Sequence, residues 1–206
     1  MVEQNTIPTI RESILKAART EFTRAGYKGA SLRKIAQEVG IVVSNIYNYY
    51  ESKDDLFRAV LQPLLSDIDR MLYHHNDEEF LTLSVFTDES YQDKMMEDSL
   101  TIVRKHRDIL HLALFQSGGS SLENYRNDLI RRQAQIGEEY LRLMKQRFPN
   151  LRVDVSPFFV HVQSAWWVTI MGEIAFHQDL TDEEITRSLQ EFTLYGTGGW
   201  KALLNA

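Results

Sequence analysis

Residues 31–56, SLRKIAQEVGIVVSNIYNYYESKDDL, decide the fold of the N-terminal part of this chain. Apolar residues recur at helical spacing through residues 32–39, which predicts a short helix with one apolar face. Gly40 provides the backbone freedom that ends this helix in a sharp turn. Ile46 and Tyr50, four residues apart, can face one core from a second short helix. The pattern predicts a helix-turn-helix whose second helix suits the major groove of DNA.

A spaced set of residues in this stretch consists of Ser31, Arg33, Ile35, Ala36, Gly40, Ile46, Tyr47, Tyr49, Tyr50, Ser52, Lys53 and Leu56. The set resembles the DNA-binding signature of TetR/AcrR-family transcriptional regulators, roughly T-x-R-x-I-A-x-x-x-G-V-S-x-x-x-L-Y-x-Y-F-x-S-K-x-x-L. With the preceding helix, the resemblance covers roughly the first sixty residues. It implies an all-α fold with a three-helix DNA-binding head and a larger helical body.

One residue departs from the family pattern. Val42 stands where the family usually has a Ser that caps the recognition helix. A valine side chain cannot accept a hydrogen bond from the exposed amides, and the loss costs about 1 kcal/mol. The recognition helix can instead begin at Ser44, so its first residue is left open.

Composition bounds the class of protein. Of 206 residues, 43% are hydrophobic and 25% charged, and only four are proline, which favours long helices in a globular protein. Cysteine is absent, which excludes disulfides and thiolate chemistry. No apolar run approaches the ~20 residues of a membrane span. The N-terminus has no basic region followed by an apolar one, so we expect no signal peptide and a cytoplasmic protein.

The net charge of -6 is unevenly distributed. Residues 1–58 contain nine Lys and Arg against seven Asp and Glu, whereas the remainder contains fourteen against twenty-two. An acidic body would orient a mildly basic head toward DNA phosphates. Equally, the surface charge of the body can serve only to keep the protein soluble.

Helical periodicity continues along the whole chain. Helices are predicted at about 9–25, 32–39, from 44, 53–75, 88–105, 107–116, 121–148, 156–177 and 181–204, with N-caps at Ser31, Ser52, Asp88 and Thr181. Pro63 should bend the fourth helix. Residues 80–87 alternate as in a strand, but a lone strand has no partner, so a helical or irregular link is expected. The resulting division is a DNA-binding domain at 1–52 and an effector-binding and dimerisation domain at 53–206.

The resemblance implies which residues contact double-stranded DNA. They are Ser31, Arg33, Val43, Ser44, Asn45, Tyr47, Asn48, Tyr49 and Lys53. Arg can bond guanine O6 and N7 together, Lys acts as a compact charge on a phosphate, and Asn can pair with adenine. For each residue, the alternative is an ordinary solvated side chain.

The last two helices are predicted to form a homodimer interface. The residues assigned to it are Phe158, Val162, Trp166, Phe192, Gly196 and Gly199. Glycines inside a helix cost ~1 kcal/mol each relative to alanine, and close approach of another helix would be a reason to retain them. The alternative is that the last helix breaks at Gly198 and Gly199. The resemblance implies a dimer on a palindromic operator, with half-sites ~34–36 Å apart or a multiple of that.

The resemblance implies that the middle helices enclose a cavity for a small-molecule effector. Its candidate lining consists of Tyr91, Met95, Phe115, Tyr125, Trp167 and Met171. Such residues also occur in any ordinary core, which is the competing interpretation.

Metal, cofactor and catalytic motifs are not evident in the sequence. There is no His-Glu-x-x-His, no phosphate-binding glycine loop and no nucleophile elbow. We therefore expect no enzyme, and the resemblance implies a ligand-responsive dimeric repressor that a small molecule releases from its operator. One alternative is a TetR-like coregulator whose head binds a protein partner. Another, without a motif behind it, is a small helical enzyme.

Overall fold

The computed structural model describes residues 8–206, which form eight α-helices, two short 3₁₀ turns and no strand. The helices are α1 (Ile10–Gly29), α2 (Leu32–Val39), α3 (Val43–Ile46), α4 (Lys53–His74), α5 (Glu89–Phe115), α6 (Tyr125–Arg147), α7 (Pro157–Phe176) and α8 (Asp182–Leu204). The all-α prediction is confirmed. None of these helices combines the length and the apolar character that crossing a membrane requires. The prediction about a signal peptide rests largely on residues 1–7, which lie outside the described part.

The first helix begins as its sequence predicts. Thr9 and Glu12 form a capping box, in which the Glu12 carboxylate accepts from the Thr9 N–H at 2.7 Å. Gly26 has φ 65° and ψ 173°, a conformation that glycine alone adopts readily. The predicted end at residue 25 therefore marks a real break in the helix, although one further turn continues to Gly29.

The starts of α2 and α3 bear on two of the predictions. Ser31 occupies the N-cap position of α2, but its side chain makes no capping bond, so that detail is wrong. The Ser31 N–H instead donates to Glu21 Oε1 at 3.1 Å. Helix α3 begins at Val43, with Val42 at the N-cap position and, as predicted, without a side-chain cap, so of the two starts left open by the sequence the structure adopts Val43 and not Ser44.

Two longer helices preserve the predicted landmarks. Ser52 Oγ accepts from the Asp55 N–H at 3.0 Å, and α4 then runs unbroken across Pro63 to His74. The helices predicted at 88–105 and 107–116 are one helix, α5, with a kink at His106, where φ is −130° and ψ is 15°. The predicted break is therefore a change of direction. The ambiguous link forms the 3₁₀ turns Glu78–Phe80 and Leu83–Phe86, as an irregular connection should.

The chain divides into two compact units. The first comprises the residues up to Pro63 together with Leu112–Tyr125, and the second comprises Leu64–His111 with Arg126–Ala206. These bounds differ from the functional division at residue 52, which remains a prediction. In the first unit, the ring of Phe57 packs edge-on against those of Phe22 and Tyr27, with ring centres 5.0 and 4.9 Å away.

A separate core organises the second unit. Its buried members are Val85, Phe86, Ala134, Leu141, Met144, Leu151, Val160 and Leu204. The 3₁₀ link is attached to this core by Tyr140, whose hydroxyl donates to the Phe80 carbonyl at 2.9 Å. Burial raises the pKa of Tyr140 well above its usual value, so the phenol remains a donor.

A hydrogen-bonded cluster around the largely buried Asp67 side chain joins α4 to the kink of α5 within the second unit. Asp67 Oδ2 lies 2.7 Å from His106 Nε2 and 2.8 Å from Lys105 Nζ. His106 is only 2% exposed. The hydrogen bonds from Lys105 and then His106 lower the pKa of Asp67 from 3.8 to about 2. The carboxylate is thus stabilised in its charged form by the fold.

Asp67→Asn is expected to lower the free energy of unfolding by about 2 kcal/mol near neutral pH. Because folding depresses the pKa of Asp67, its contribution is fully present above pH 3.8 and is lost as the pH falls through about 2. Urea unfolding of wild type and variant across this range measures the effect. The matched control is Asp69→Asn, an exposed carboxylate of α4 that pairs with Arg132, with an expected cost below about 1 kcal/mol. If the difference in free energy of unfolding between wild type and Asp67→Asn persisted undiminished to about pH 2, the assignment would be contradicted.

Candidate nucleic-acid interface and ligand cavity

The helix-turn-helix presents its polar residues outward. Ile46 is 1% and Tyr50 3% exposed, so both anchor α3 from beneath. The predicted contact residues Ser44, Asn45, Tyr47, Asn48 and Tyr49 are all exposed, and Val43 is half-buried. After Ile46 the regular helix gives way to a hydrogen-bonded turn, in which the Ile46 carbonyl accepts from the Tyr49 and Tyr50 N–H groups. The reading element is therefore one short turn of helix followed by an exposed aromatic turn.

The cations on α2 lie on the outside of the first unit. Arg33 and its neighbour Lys34 are both exposed, while Ser31 is half-buried. Lys34 was not singled out from the sequence, because the family pattern has no fixed residue there. Two adjacent cations beside α3 suit contacts to DNA phosphates.

Lys53 is held on an aromatic platform. Its Nζ lies 4.8 Å from the ring centre of Tyr27 and its side chain is half-buried. Burial lowers the pKa of Lys53, and the Glu21 carboxylate opposes this effect. Sequence reasoning selected Lys53 but missed Tyr27, since the two are 26 positions apart and only folding joins them. The platform restricts where the ammonium can reach.

The turn between α5 and α6 belongs to the first unit and is hydrogen-bonded there to α1 and α4. The Tyr27 N–H donates to the Gln116 carbonyl at 2.9 Å, and the Ser121 N–H donates to Asp54 Oδ1 at 2.8 Å. Arg58 donates to Ser121 Oγ at 3.1 Å. The sequence predicts only a break at residues 117–120. Its attachment to the ends of α1 and α4 depends on tertiary contacts.

The second unit contains a cavity of about 270 Å³. Aromatic side chains dominate its wall, namely Phe80, Phe86, Tyr140, Trp166, Trp167, Phe192 and Trp200. Its polar groups include His75, Asp98, Ser99, Gln133 and Gln163. The Trp167 indole N–H donates to Ser99 Oγ at 3.2 Å. A mostly apolar concavity with a few polar groups has the character of a small-molecule site.

The structure divides the predicted ligand-binding residues. Met95 and Trp167 line the cavity. The other four do not: Tyr91 packs against the second core, Met171 is buried, and Phe115 and Tyr125 lie in the first unit. Aromatic and methionine content located the right region but could not separate cavity wall from core.

The predicted dimer residues also fall into two groups. Phe158 is 75% and Val162 42% exposed, and Gly199 is exposed with no other side chain near the position of a Cβ. Trp166, Phe192 and Gly196 instead line the cavity, and the rings of Trp166 and Phe192 meet edge-on at 4.5 Å. Helix α8 remains continuous through its glycines to Leu204, so the predicted alternative of a break is wrong.

Additional apolar side chains extend the exposed part of these two helices. Leu194 is 67% and Tyr195 72% exposed on α8. Large apolar residues exposed together on neighbouring helices are typical of an interaction surface. Neither residue was predicted, because their flanking positions on α8 do not follow the apolar stripe. Among residues 8–206, no three His, Asp or Glu side chains are grouped so that they could hold a metal ion.

Comparison with known proteins connects this geometry to a family. Residues 14–60 match the model of bacterial regulatory proteins of the tetR family. The uncharacterised HTH-type transcriptional regulator YvdT of Bacillus subtilis is 29% identical over 103 residues, which are 49% of this chain and 49% of that protein. The match therefore spans about half the length of this curated relative.

Solved structures share the fold over nearly the whole chain. A TetR-like transcriptional regulator from Rhodococcus sp. RHA1 is similar with a TM-score of 0.64 and 20% identity, over 94% of this chain and 99% of that one. The transcriptional regulator FadR of Bacillus subtilis, in complex with stearoyl-CoA, gives a TM-score of 0.60 and 14% identity, over 89% and 97% of the two chains. At such identities the likeness establishes the fold alone.

Proposed function

We propose, because the chain belongs to the TetR family of bacterial regulatory proteins, that it is a dimeric transcriptional regulator whose binding to DNA responds to a small molecule. In this proposal it represses from a palindromic operator and the small molecule releases it. The observation that carries the proposal is the exposure of α3 and the turn after it, above buried Ile46 and Tyr50. A recognition helix needs such a firm base and an outward polar face.

The exposed residues are assigned distinct tasks on the duplex. Ser44, Asn45 and Asn48 read base edges, where an asparagine amide can bond both N6 and N7 of adenine. Tyr47 and Tyr49 contact phosphate or a thymine methyl group. Half-buried Val43 contributes apolar contact with a thymine methyl. Specificity therefore comes from α3 and its following turn, and orientation comes from the surrounding backbone contacts.

Cations around α3 supply the phosphate contacts. Arg33 on α2 reaches a base or a phosphate, and Lys53 binds the backbone from its position over Tyr27. Ser31 contributes at most its hydroxyl, because its N–H is already bonded to Glu21. Because Lys53 is held over Tyr27, its ammonium group has little freedom to follow a displaced phosphate. The contact is therefore sensitive to the position of α4, which begins at Lys53.

Arg33→Ala is expected to weaken operator binding by ~1–3 kcal/mol, because a bidentate or charge-assisted contact is lost. Titration of a labelled operator duplex measures the change. The matched control is Arg131→Ala on α6, an exposed arginine paired with Asp128, which should leave affinity unaltered. Equal affinity of Arg33→Ala and wild type would remove Arg33 from the interface.

Dimerisation uses the exposed apolar side chains of α7 and α8. Two copies of these helices form a four-helix bundle, with Phe158 and Val162 contributing from α7 and Gly199 allowing close approach on α8. A single short reading helix makes few contacts, so two copies on one palindrome are needed for useful affinity.

The small molecule binds in the cavity of the second unit. FadR of Bacillus subtilis, which shares the fold, was solved in complex with stearoyl-CoA, so a protein of this fold can bind an organic ligand. Here the lining includes Met95 and Trp167 from the predicted set. Binding must discriminate between two states of the protein, since a ligand with equal affinity for both shifts nothing.

Two continuous helices are suited to carry the change to the reading element. Helix α4 passes from the first unit to the second after Pro63, and α5 passes back after His111. Beyond α5, Gln116 and Ser121 are bonded within the first unit to Tyr27 and Asp54. A shift of either helix would thus act on the ends of α1 and α4. Unchanged operator affinity and unchanged small-angle scattering with a confirmed binder would reject this switch.

Selection of bound duplexes from a random pool tests the proposed function. The full chain should enrich a palindromic sequence, and its affinity should fall steeply with salt as phosphate contacts release counterions. Repeating the binding with candidate small molecules then identifies those that release the duplex. Failure to retain any double-stranded sequence in dilute buffer would overturn the proposal.

A second candidate function is a TetR-like coregulator whose head binds a protein. The observation in its favour is Val42, which is 63% exposed at the start of α3 where a polar cap is usual. Salt dependence separates the two functions, because an apolar protein contact would respond weakly to ionic strength. Family and fold are those of transcriptional regulators, which gives no support to the enzyme alternative.

A further inference from the structure

The charges around the cavity restrict what it can bind. Within the described part of the chain, its wall includes one carboxylate, Asp98, and no Lys or Arg. The other ionisable groups of the wall, apart from the weakly acidic phenol of Tyr140, are His74 and His75. His74 Nδ1 lies 2.6 Å from the Asp77 carboxylate, which neutralises any charge it carries. A ligand bearing a carboxylate or a phosphate would therefore meet no free cation in this wall.

His75 offers an acceptor to the cavity. The Asn76 amide nitrogen donates to the Ile136 carbonyl at 3.2 Å, which fixes the orientation of that amide. Asn76 Oδ1 then faces His75 Nδ1 at 2.8 Å and accepts its hydrogen. In the neutral imidazole the other nitrogen, Nε2, is left as an acceptor.

Two further acceptors in the wall have no hydrogen-bond partner among the described residues. Gln133 Oε1 is buried and accepts no hydrogen bond from residues 8–206. Because the oxygen and nitrogen of a glutamine amide can exchange places by a flip, Gln133 alone does not define the charge of the ligand group that it would bind. The Asp98 carboxylate can only accept hydrogen bonds, whichever way it is turned. The structure records no hydrogen bond or ion pair for it among the described residues.

The environment of Asp98 lacks a dedicated partner. Although the residue as a whole is exposed, partial burial raises the pKa of Asp98, and the neighbouring Glu97 adds to the rise. The two basic side chains near it, His74 and Lys94, are already paired with Asp77 and Glu79. A positively charged ligand group would supply the missing counter-charge.

The rest of the wall suits the same ligand group. All three tryptophans of the chain, Trp166, Trp167 and Trp200, line the cavity. The faces of aromatic rings attract cations, and their area accommodates an apolar body. The acceptor groups and the aromatic faces therefore both favour a positively charged ligand group.

We propose that the cavity takes an amphipathic organic amine, with an aromatic or aliphatic body against the tryptophans and a protonated amine at Asp98. This rests on the proposed function only in identifying the amine as the effector. Asp98 supplies the charge, His75 and Gln133 accept amine hydrogens, and the aromatic wall excludes water from the body of the ligand. Anionic acyl compounds are discriminated against by the lack of a free cation.

Three probes of one shape test the proposal: phenylbutylammonium, phenylbutanol and phenylbutanoate. Because every tryptophan lies in the cavity wall, intrinsic fluorescence of the full chain reports binding directly. The ammonium probe should bind about tenfold more tightly than the alcohol, and the carboxylate more weakly than either. Asp98→Asn should remove that tenfold preference and leave the affinity for the alcohol unchanged.

Asp93→Asn is the matched control, since Asp93 is an exposed carboxylate of the same helix that does not line the cavity. It should retain the full preference for the ammonium probe. Equal loss in both variants would mean that only the overall charge matters, which would overturn the assignment. The assignment would also be overturned if the carboxylate probe bound as tightly as the ammonium probe, or if no probe bound at all.

Operator binding, measured without probes on the same preparations, distinguishes a failure of the proposed ligand class from a failure of the proposed function. A protein that retains its selected duplex but prefers the carboxylate probe overturns the ligand class and leaves the proposed function intact. A protein that prefers the ammonium probe but binds no duplex overturns the proposed function, whereas the ligand class is supported.

Discussion

Phe158→Glu is expected to leave the protein monomeric and to reduce operator affinity at least about a hundredfold, because the second half-site contact is no longer intramolecular. The side chain is 75% exposed on α7, so a glutamate costs the isolated chain little. In a dimer interface the same charge would be buried without a partner, which is strongly destabilising. Light scattering gives the mass, and titration of a palindromic duplex gives the affinity.

Leu194→Glu on α8 should act in the same way if both helices contribute to one interface. The matched control is Tyr73→Glu on α4, an aromatic side chain that is 80% exposed but lies outside the proposed interface. It should remain dimeric and bind the operator as wild type does. A dimeric mass for Phe158→Glu at micromolar concentration would show that another surface joins the protomers.

Ile46→Ala is expected to lower the stability of the first unit by about 2–5 kcal/mol and to abolish operator binding. The side chain is 1% exposed and is one of two anchors beneath α3, so its loss leaves a cavity under the reading element. A four-residue helix without a side-chain cap cannot maintain its geometry alone. Urea unfolding and duplex titration measure the two effects.

Val42→Ala provides the comparison for Ile46→Ala. Val42 is an apolar residue of the same stretch, but it is 63% exposed. Its truncation should change stability by no more than about 0.5 kcal/mol. If Ile46→Ala proved as mild as Val42→Ala, α3 would not depend on the anchor, and the proposed support of the reading helix would be wrong.

Local features of the chain were predictable to within a few residues. The apolar spacing of α2, the turn at Gly40 and the capping groups at Thr181 and Ser52 are encoded in short stretches, so they were recognised directly. Even the kink at His106 appeared as a break between two predicted helices. The first residue of α3 was left open by the sequence, because Val42 provides no cap and the start at Val43 depends on tertiary support from Ile46 and Tyr50.

The orientation of α7 and α8 could not be predicted in the same way. Helix α7 is apolar around most of its circumference, so periodicity does not distinguish the side toward the cavity from the side toward a partner. Trp166 and Phe192 were therefore assigned to the dimer interface although they line the cavity. Asp98 and Gln133, which give the cavity its polarity, belong to no motif.

The amino-acid sequence by itself determined the helix-turn-helix and where helices lie to within a few residues, because each depends on residues within a few turns of one another. The tertiary structure alone decided which side chains meet over long separations. Asp67 meets His106, Lys53 lies on Tyr27, and the acceptors of three helices surround one cavity. Such encounters depend on the packing of whole helices, and no local pattern of residues records them.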